Sequence, residues 1–225
     1  MARMAEIPLY EEGEEVPVAL PRADVTSPRL AMLTRMRAKD AGIYGAKAAN
    51  LGEIVTANLP VDVPEGFGVP FFYYVRHLTQ AGLQPQIDAL LADPRFATEA
   101  LWRRAELERI RAAIVAAPID PAVLDMLYRR VRLRLGGRGV FVRSSTNVED
   151  LPGFNGAGLY DTVPNVVGKE ALGQAVKTVW ASLWNLRAVE ERTAFGIDHR
   201  QVFAGVLIQI GVSATAAGVL VSTNL

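Results

Sequence analysis

The chain contains no cysteine. Disulfides and thiolate metal sites are therefore excluded, and a reducing compartment is the simplest expectation. It has no charge excess, since 24 Lys and Arg face 24 Asp and Glu. That balance argues against a general nucleic-acid or anionic-membrane surface, so neither nucleic acid nor membrane is expected as a partner. No apolar run approaches the ~20 residues that span a bilayer. No secretory leader is expected, because Glu6, Glu11, Glu12, Glu14 and Glu15 stand where an apolar core would be. These absences together predict a cytoplasmic protein. Two phosphate signatures are missing as well. There is no G-x-x-x-x-G-K-[ST], and Gly136-Gly137-Arg138-Gly139 precedes a strand where the dinucleotide fingerprint would follow one.

What is present is a half-apolar chain of 225 residues, enough for a packed core. Residues 1–29 carry Pro8, Pro17, Pro21 and Pro28 and no periodicity, and read as a linker or arm. Periodic sequence begins near Leu30. A helix is expected over Asn50–Ala57, a short strand over Gly66–Pro70 and a helix over Phe71–Gln80. Further helices are expected over Pro85–Leu91 and over Arg95–Ala117. The next helix has Asp120 as its cap, Pro121 at its first position and Gly136 beyond its end. Its apolar residues Leu124, Leu127, Tyr128, Val131 and Leu135 share one face. Val140–Arg143 and Leu159–Val163 read as strands. Leu172, Val176, Val179, Trp180, Leu183 and Trp184 mark a helix whose tryptophans have core spacing. Val202–Ile210 and Ala217–Ser222 read as the last strands, and a sheet ending there looks cut rather than finished. The Arg103, Arg104, Arg109 and Arg111 series reads as a solvated face.

Two segments are suited to phosphate. In Gly45-Ala46-Lys47-Ala48-Ala49-Asn50, small residues allow close backbone approach, a helix N-terminus offers free N–H groups, and Lys47 adds a mobile charge. An ordinary turn with a solvated lysine is the alternative. In FVRSSTNVEDLPGFNGAGLYDT, Arg143 ends an apolar strand with a fork suited to bidentate contact. Ser144, Ser145 and Thr146 offer hydroxyls, and Gly153, Gly156 and Gly158 permit a flap. An Arg143–Glu149 or Arg143–Asp150 ion pair in a plain hairpin loop is the alternative here. From the residues alone the reading is a possible phosphate site divided between two segments.

GAKAANLGEI, VPEGFGVP, FVRSSTNVEDLPGFNGAGLYDTVPNV, VWASLWNLRAVEERTAFGID and VLIQ, in that order, resemble the ATP-binding domain of the dikinase family. Phosphoenolpyruvate synthase, pyruvate phosphate dikinase, glucan water dikinases and rifampicin phosphotransferase belong to that family. The similarity spans roughly Leu30 to the C-terminus, and its form is nearest the synthase-like and glucan-dikinase-like branch. It implies an α+β, ATP-grasp-like domain, of which residues 30–225 are the N-terminal part. It places Lys47 and Arg143 on the phosphates of ATP, Gly158, Asp161 and Thr162 in a flap, and Gln209 on the adenine side. It further implies that the β-phosphate passes to a histidine on another domain and then to pyruvate or a related acceptor.

The resemblance also shows what this sequence leaves out. The second ATP-grasp lobe with its Mg2+-holding acids, the phosphohistidine domain and the acceptor-binding domain are expected on other segments, in the same gene or on a separate chain. His77 and His199 lie outside the phosphohistidine context and are expected to be structural. Glu149 and Asp150 are offered as metal ligands, but ordering the flap or pairing with arginines is preferred. Little catalysis is therefore expected from this polypeptide alone. A truncated, non-catalytic nucleotide-binding or partner-docking module is the competing reading, and a partial domain with no function of its own is a third.

Overall fold

The computed structural model describes residues 20–57, 59–151, 154–156, 158–216 and 218. The expected strand at Ala217–Ser222, the acid-rich start of the arm and Gly153 lie outside the described residues. In chain order the elements begin with β1 (Ala31–Met32), α1 (Ala41–Tyr44), α2 (Ala46–Thr56), β2 (Gly66–Val69) and α3 (Phe71–Gln80). Next come α4 (Gln84–Ala92), α5 (Arg95–Thr98), α6 (Ala100–Ala116), α7 (Pro121–Arg134) and β3 (Val140–Thr146). The series closes with β4 (Asp150–Leu151), β5 (Phe154–Asn155), β6 (Thr162–Val166), α8 (Lys169–Ala181), α9 (Leu186–Ala194) and β7 (Ala204–Ile210). This is an α+β arrangement.

Five strands form one sheet in the order β1-β2-β7-β3-β6, and every pairing is antiparallel. Strand alternation divides β7 between two cores. Ala204, Val206 and Ile208 join the larger one, with apolar residues of α3, α6, α7 and α8. Leu207 joins the smaller one, with Ala48 and Ala49 of α2, Tyr44 of α1, and Met36. The sheet therefore lies between a thick helical layer and the thin α1–α2 layer.

Local chemistry explains the departures from the sequence expectations. The helix expected at Asn50 starts at Ala46, because Ala-Lys-Ala-Ala are good helix formers and Gly45 supplies the turn. The helix expected over Arg95–Ala117 is broken at Glu99, whose φ of −115° and ψ of 90° are extended. The strand expected from Leu159 starts at Thr162, because the Asn185 side chain donates to Leu159 O and Asp161 Oδ1, each at 3.1 Å. Pro164, which has no N–H, is tolerated because β6 is an edge strand. Helix α7 has the expected cap, with Ala122 N donating to Asp120 Oδ1 at 2.8 Å. Its buried row is Val123, Leu127, Val131 and Leu135, so the stripe includes Val123 and leaves Leu124 and Tyr128 at its margin. Trp180 and Trp184 are buried as their spacing predicts, and Trp184 Nε1 donates to Tyr74 Oη at 3.0 Å. Arg109 and Arg111 lie on the solvated face of α6, paired with Glu106 and Glu108 one turn earlier.

Gly45 and Gly168 each precede a helix in a backbone region open essentially to glycine alone, at φ 86°, ψ 161° and φ 94°, ψ 164°. They differ in their surroundings. A Cβ on Gly45 would collide with the backbone of Ser145, whereas one on Gly168 would meet nothing within 4 Å. Gly168→Ala should therefore cost about 1–3 kcal/mol from backbone strain alone. Gly45→Ala should cost about 1–3 kcal/mol more, because overpacking is added. Urea unfolding of the two variants measures the difference, and equal losses would contradict the close approach.

Candidate functional site

The two phosphate-suited segments, far apart in sequence, meet at one place. Lys47 lies in the first turn of α2, and its Nζ donates to the backbone carbonyl of Ser144 at 3.0 Å. Its main ionic partner is Glu149, at 2.5 Å from Nζ to Oε1. The other Glu149 oxygen accepts from Thr146 N at 3.4 Å. Glu149 is deeply buried, with its side chain 6% exposed, while that of Lys47 is 27% exposed. Glu149 is expected to order the flap or to pair with arginines; its ion pair among the described residues is with the lysine delivered by α2, and its backbone carbonyl accepts from Gly156 N at 3.0 Å. The side chain of Asp150 lies outside the described residues.

Arg143 alternates to the face of β3 opposite the one carrying Val142 and Ser144, and its Nη1 donates to Gln209 Oε1 at 3.2 Å. The Gln209 amide is anchored at its other end, where Nε2 donates to Pro64 O at 2.9 Å. Arg143 makes no ion pair among the described residues, so the alternative Arg143–Glu149 bridge is not what forms. Thr162 stands opposite Arg143 in the β3–β6 register, and Asp161 O accepts from Ser144 N at 3.3 Å. Gly158 is exposed and sits in the turn leading to these residues. Thus Lys47 meets β3 at Ser144, next to Arg143, with Gln209 on the neighbouring β7, Thr162 at the start of the neighbouring β6 and Asp161 just before it. Gly158 lies three residues before Asp161, in the turn that leads to β6.

The three hydroxyls expected to face a ligand are buried. Ser145 Oγ accepts from Ala48 N at 2.9 Å, so it holds the N-terminal turn of α2 against β3. Ser144, Ser145 and Thr146 are each no more than 2% exposed. Asn185 escaped the sequence reading. Asn before a helix suggests a cap, yet its side chain instead ties the turn at Leu159 and Asp161 to the start of α9. Beside it, Arg192 is fully buried and donates to Tyr160 Oη at 3.3 Å and to Leu183 O at 2.8 Å. Burial pushes the Tyr160 phenol up.

Two sizeable cavities lie elsewhere. One of about 760 Å³ is bordered by Arg29, Arg35, Arg130 and Arg134, and another of about 620 Å³ by Phe96, Arg103 and His199. Neither histidine resembles a phosphoryl acceptor. His77 is buried with Nε2 at 3.0 Å from Ile114 O. His199 Nδ1 accepts from Arg192 Nε at 3.2 Å.

Burial, and then the Arg192 charge, push the His199 imidazole down to about 4. Its unfolded value is about 6.5, so the unfolded state binds the extra proton between these limits. Stability from this group is complete above about pH 6.5 and is lost as pH falls towards 4. His199→Gln should remove this component. Between pH 7 and 4.5 the parent should lose about 1–3 kcal/mol more than the variant in urea unfolding. Parallel pH profiles would contradict a half-buried neutral imidazole.

The chain matches the family described as pyruvate phosphate dikinase, AMP/ATP-binding domain, over residues 41–225. It is 36% identical over 184 residues to a phosphoenolpyruvate synthase of Aeropyrum pernix, covering 79% of this chain and 22% of that protein. A rifampicin phosphotransferase of a Streptomyces species is 36% identical over 182 residues, 80% of this chain and 21% of its own length. The phosphoenolpyruvate synthase of Escherichia coli is 31% identical over 206 residues, 88% of this chain and 26% of its own length. The chain therefore spans about a quarter of these relatives. Among the described residues no helix is long and apolar enough to cross a membrane. With a family match across most of its length and the two motif segments joined through Lys47, the chain belongs to the pyruvate phosphate dikinase AMP/ATP-binding domain family.

Proposed function

We propose that this chain is the phosphate-gripping part of an ATP-grasp-like nucleotide site, with Lys47 and Arg143 as its two cations. The observation that carries this reading is the placement of the Lys47 ammonium against β3, 3.0 Å from the carbonyl oxygen of Ser144, the residue that follows Arg143. An ammonium and a guanidinium so placed can share the charge of one triphosphate, the first as a point charge and the second as a planar fork. Gln209 holds one arm of that fork, and its other donors would take the anion. Asp161 and Thr162, bonded to or paired with the same strand, carry the Gly158 turn over the nucleotide as its flap. The adenine side falls along β7 near Gln209.

Within a longer dikinase, the β-phosphate of the bound ATP would pass to a histidine on another domain and on to pyruvate or a related acceptor, in the cytoplasm. The relatives' names support that reaction class, and the missing lobe and acceptor domain would complete it. Magnesium would accompany the nucleotide. Among the described residues no cluster of three or more His, Asp or Glu is placed to hold a metal. Glu149 is engaged by Lys47 and Thr146 N, and Asp161 Oδ1 by Asn185. These described residues do not fit a protein-held magnesium site.

A thermal-shift titration with MgATP tests the reading. A ligand at 100 times its Kd adds about 2.7 kcal/mol to the folded state. For a chain of this size that raises Tm by roughly 5–10 °C. Lys47→Ala and Arg143→Ala should each lose most of the shift. A parent that melts cooperatively and ignores ATP would overturn independent nucleotide binding.

A further inference from the structure

The Lys47 end of the site already holds an anion, and that anion belongs to the protein. Glu149 Oε1 lies 2.5 Å from Lys47 Nζ, and its Oε2 accepts from the backbone N–H of Thr146 at 3.4 Å. An ammonium beside a strand-end amide is the donor set a phosphate oxygen would seek. We propose that Glu149 is a specificity-determining residue: its carboxylate must be displaced from Lys47 before phosphate enters, so the site admits polyphosphates and excludes inorganic phosphate. This rests on the reading of Lys47 and Arg143 as phosphate ligands.

Competition between anions gives the selectivity. A single phosphate that takes Lys47 gains one ammonium but leaves a deeply buried carboxylate without it. Removing one partner of a buried pair is strongly unfavourable. A polyphosphate has a second source of binding free energy. Its next phosphoryl group can engage Arg143, which makes no ion pair among the described residues and whose Nη1 rests on the neutral amide of Gln209. The longer anion therefore offsets the displacement of Glu149 and the shorter one does not.

Glu149 is also tied to the segment expected to close over the nucleotide. Gly156 N donates to Glu149 O at 3.0 Å, and a Cβ on Gly156 would stand 3.0 Å from Glu149 Cα. The β4–β5 pair lies between these two residues, so the backbone contact closes that hairpin on Glu149.

The test compares inorganic phosphate with tripolyphosphate, by calorimetry, on the parent and on Glu149→Gln. The parent should prefer tripolyphosphate by about 100-fold or more, and the variant should bind phosphate about 10-fold tighter than the parent, narrowing the preference. Tripolyphosphate binding with unchanged or weakened phosphate affinity in the folded variant would overturn this proposal alone. No tripolyphosphate binding by either protein would overturn the phosphate-site reading and the selectivity with it. A ligand-free readout separates the two: acylation of the Lys47 amine, followed by mass spectrometry, should be faster in Glu149→Gln, and an unchanged rate would refute the clamp itself. Should Glu149→Gln not fold, Glu149→Asp keeps the charge but draws it back by one methylene. It should give a smaller gain in phosphate affinity, about 3-fold, and no gain would count against the proposal.

Discussion

The N-terminal turn of α2 rests directly on the backbone of β3, and the candidate site depends on that contact. Gly45 has no side chain, so the turn can approach Ser145 more closely than any Cβ would permit. Ser145 Oγ then accepts from Ala48 N, which satisfies one of the helix's free amides and fixes its rotation. With the helix so placed, the side chain of Lys47 can reach only towards the end of β3, where it finds Ser144 O and Glu149. The sheet beneath provides the counterpart. Gly205 on β7 lies under α1, where a Cβ would stand 2.6 Å from Tyr44 O and 2.9 Å from Ser145 O. Small residues on helix, strand and turn therefore let Lys47 reach β3 beside Arg143.

The same geometry explains the division of labour between the two faces of the sheet. The thick helical layer buries Trp180, Trp184, Leu127 and Ile110 and supplies most of the apolar burial. The smaller core on the α1–α2 side holds Ala48, Ala49, Tyr44, Leu33 and Met36 around Leu207 of β7. Most of the apolar burial and the candidate site thus lie towards opposite faces of the sheet, joined through the alternation of β3 and β7. Val142 and Ile208 point into the large core, while Arg143 and Gln209 point towards the small one.

The sequence made some of this legible for clear physical reasons. Asp120, Pro121 and Gly136 are strong local signals, and α7 begins and ends where they place it. Tryptophans at helical spacing were buried as expected. The two segments stand out by their glycines, their lysine and their arginine, and reading them as halves of one site agrees with their meeting across α2 and β3. Long-range side-chain chemistry was not legible. No local rule pairs Glu149 with a lysine 102 residues away, or sends Asn185 to Asp161 rather than to its own helix. Boundaries at Ala46, Glu99 and Thr162 failed where tertiary hydrogen bonds or a single extended residue overrode propensity. The serine hydroxyls were misjudged for the same reason, since their role depends on a helix packed across the sheet.

The proposed phosphate site of Lys47 and Arg143 requires that Glu149 leave the lysine when ATP binds. A crystal structure of the chain with a non-hydrolysable ATP analogue tests this most directly. It should show a phosphate oxygen within about 3 Å of Lys47 Nζ, the same triphosphate against Arg143, and Glu149 released from the lysine. A triphosphate bound elsewhere, such as the cavity bordered by Arg130 and Arg134, with the Lys47–Glu149 pair intact, would contradict it.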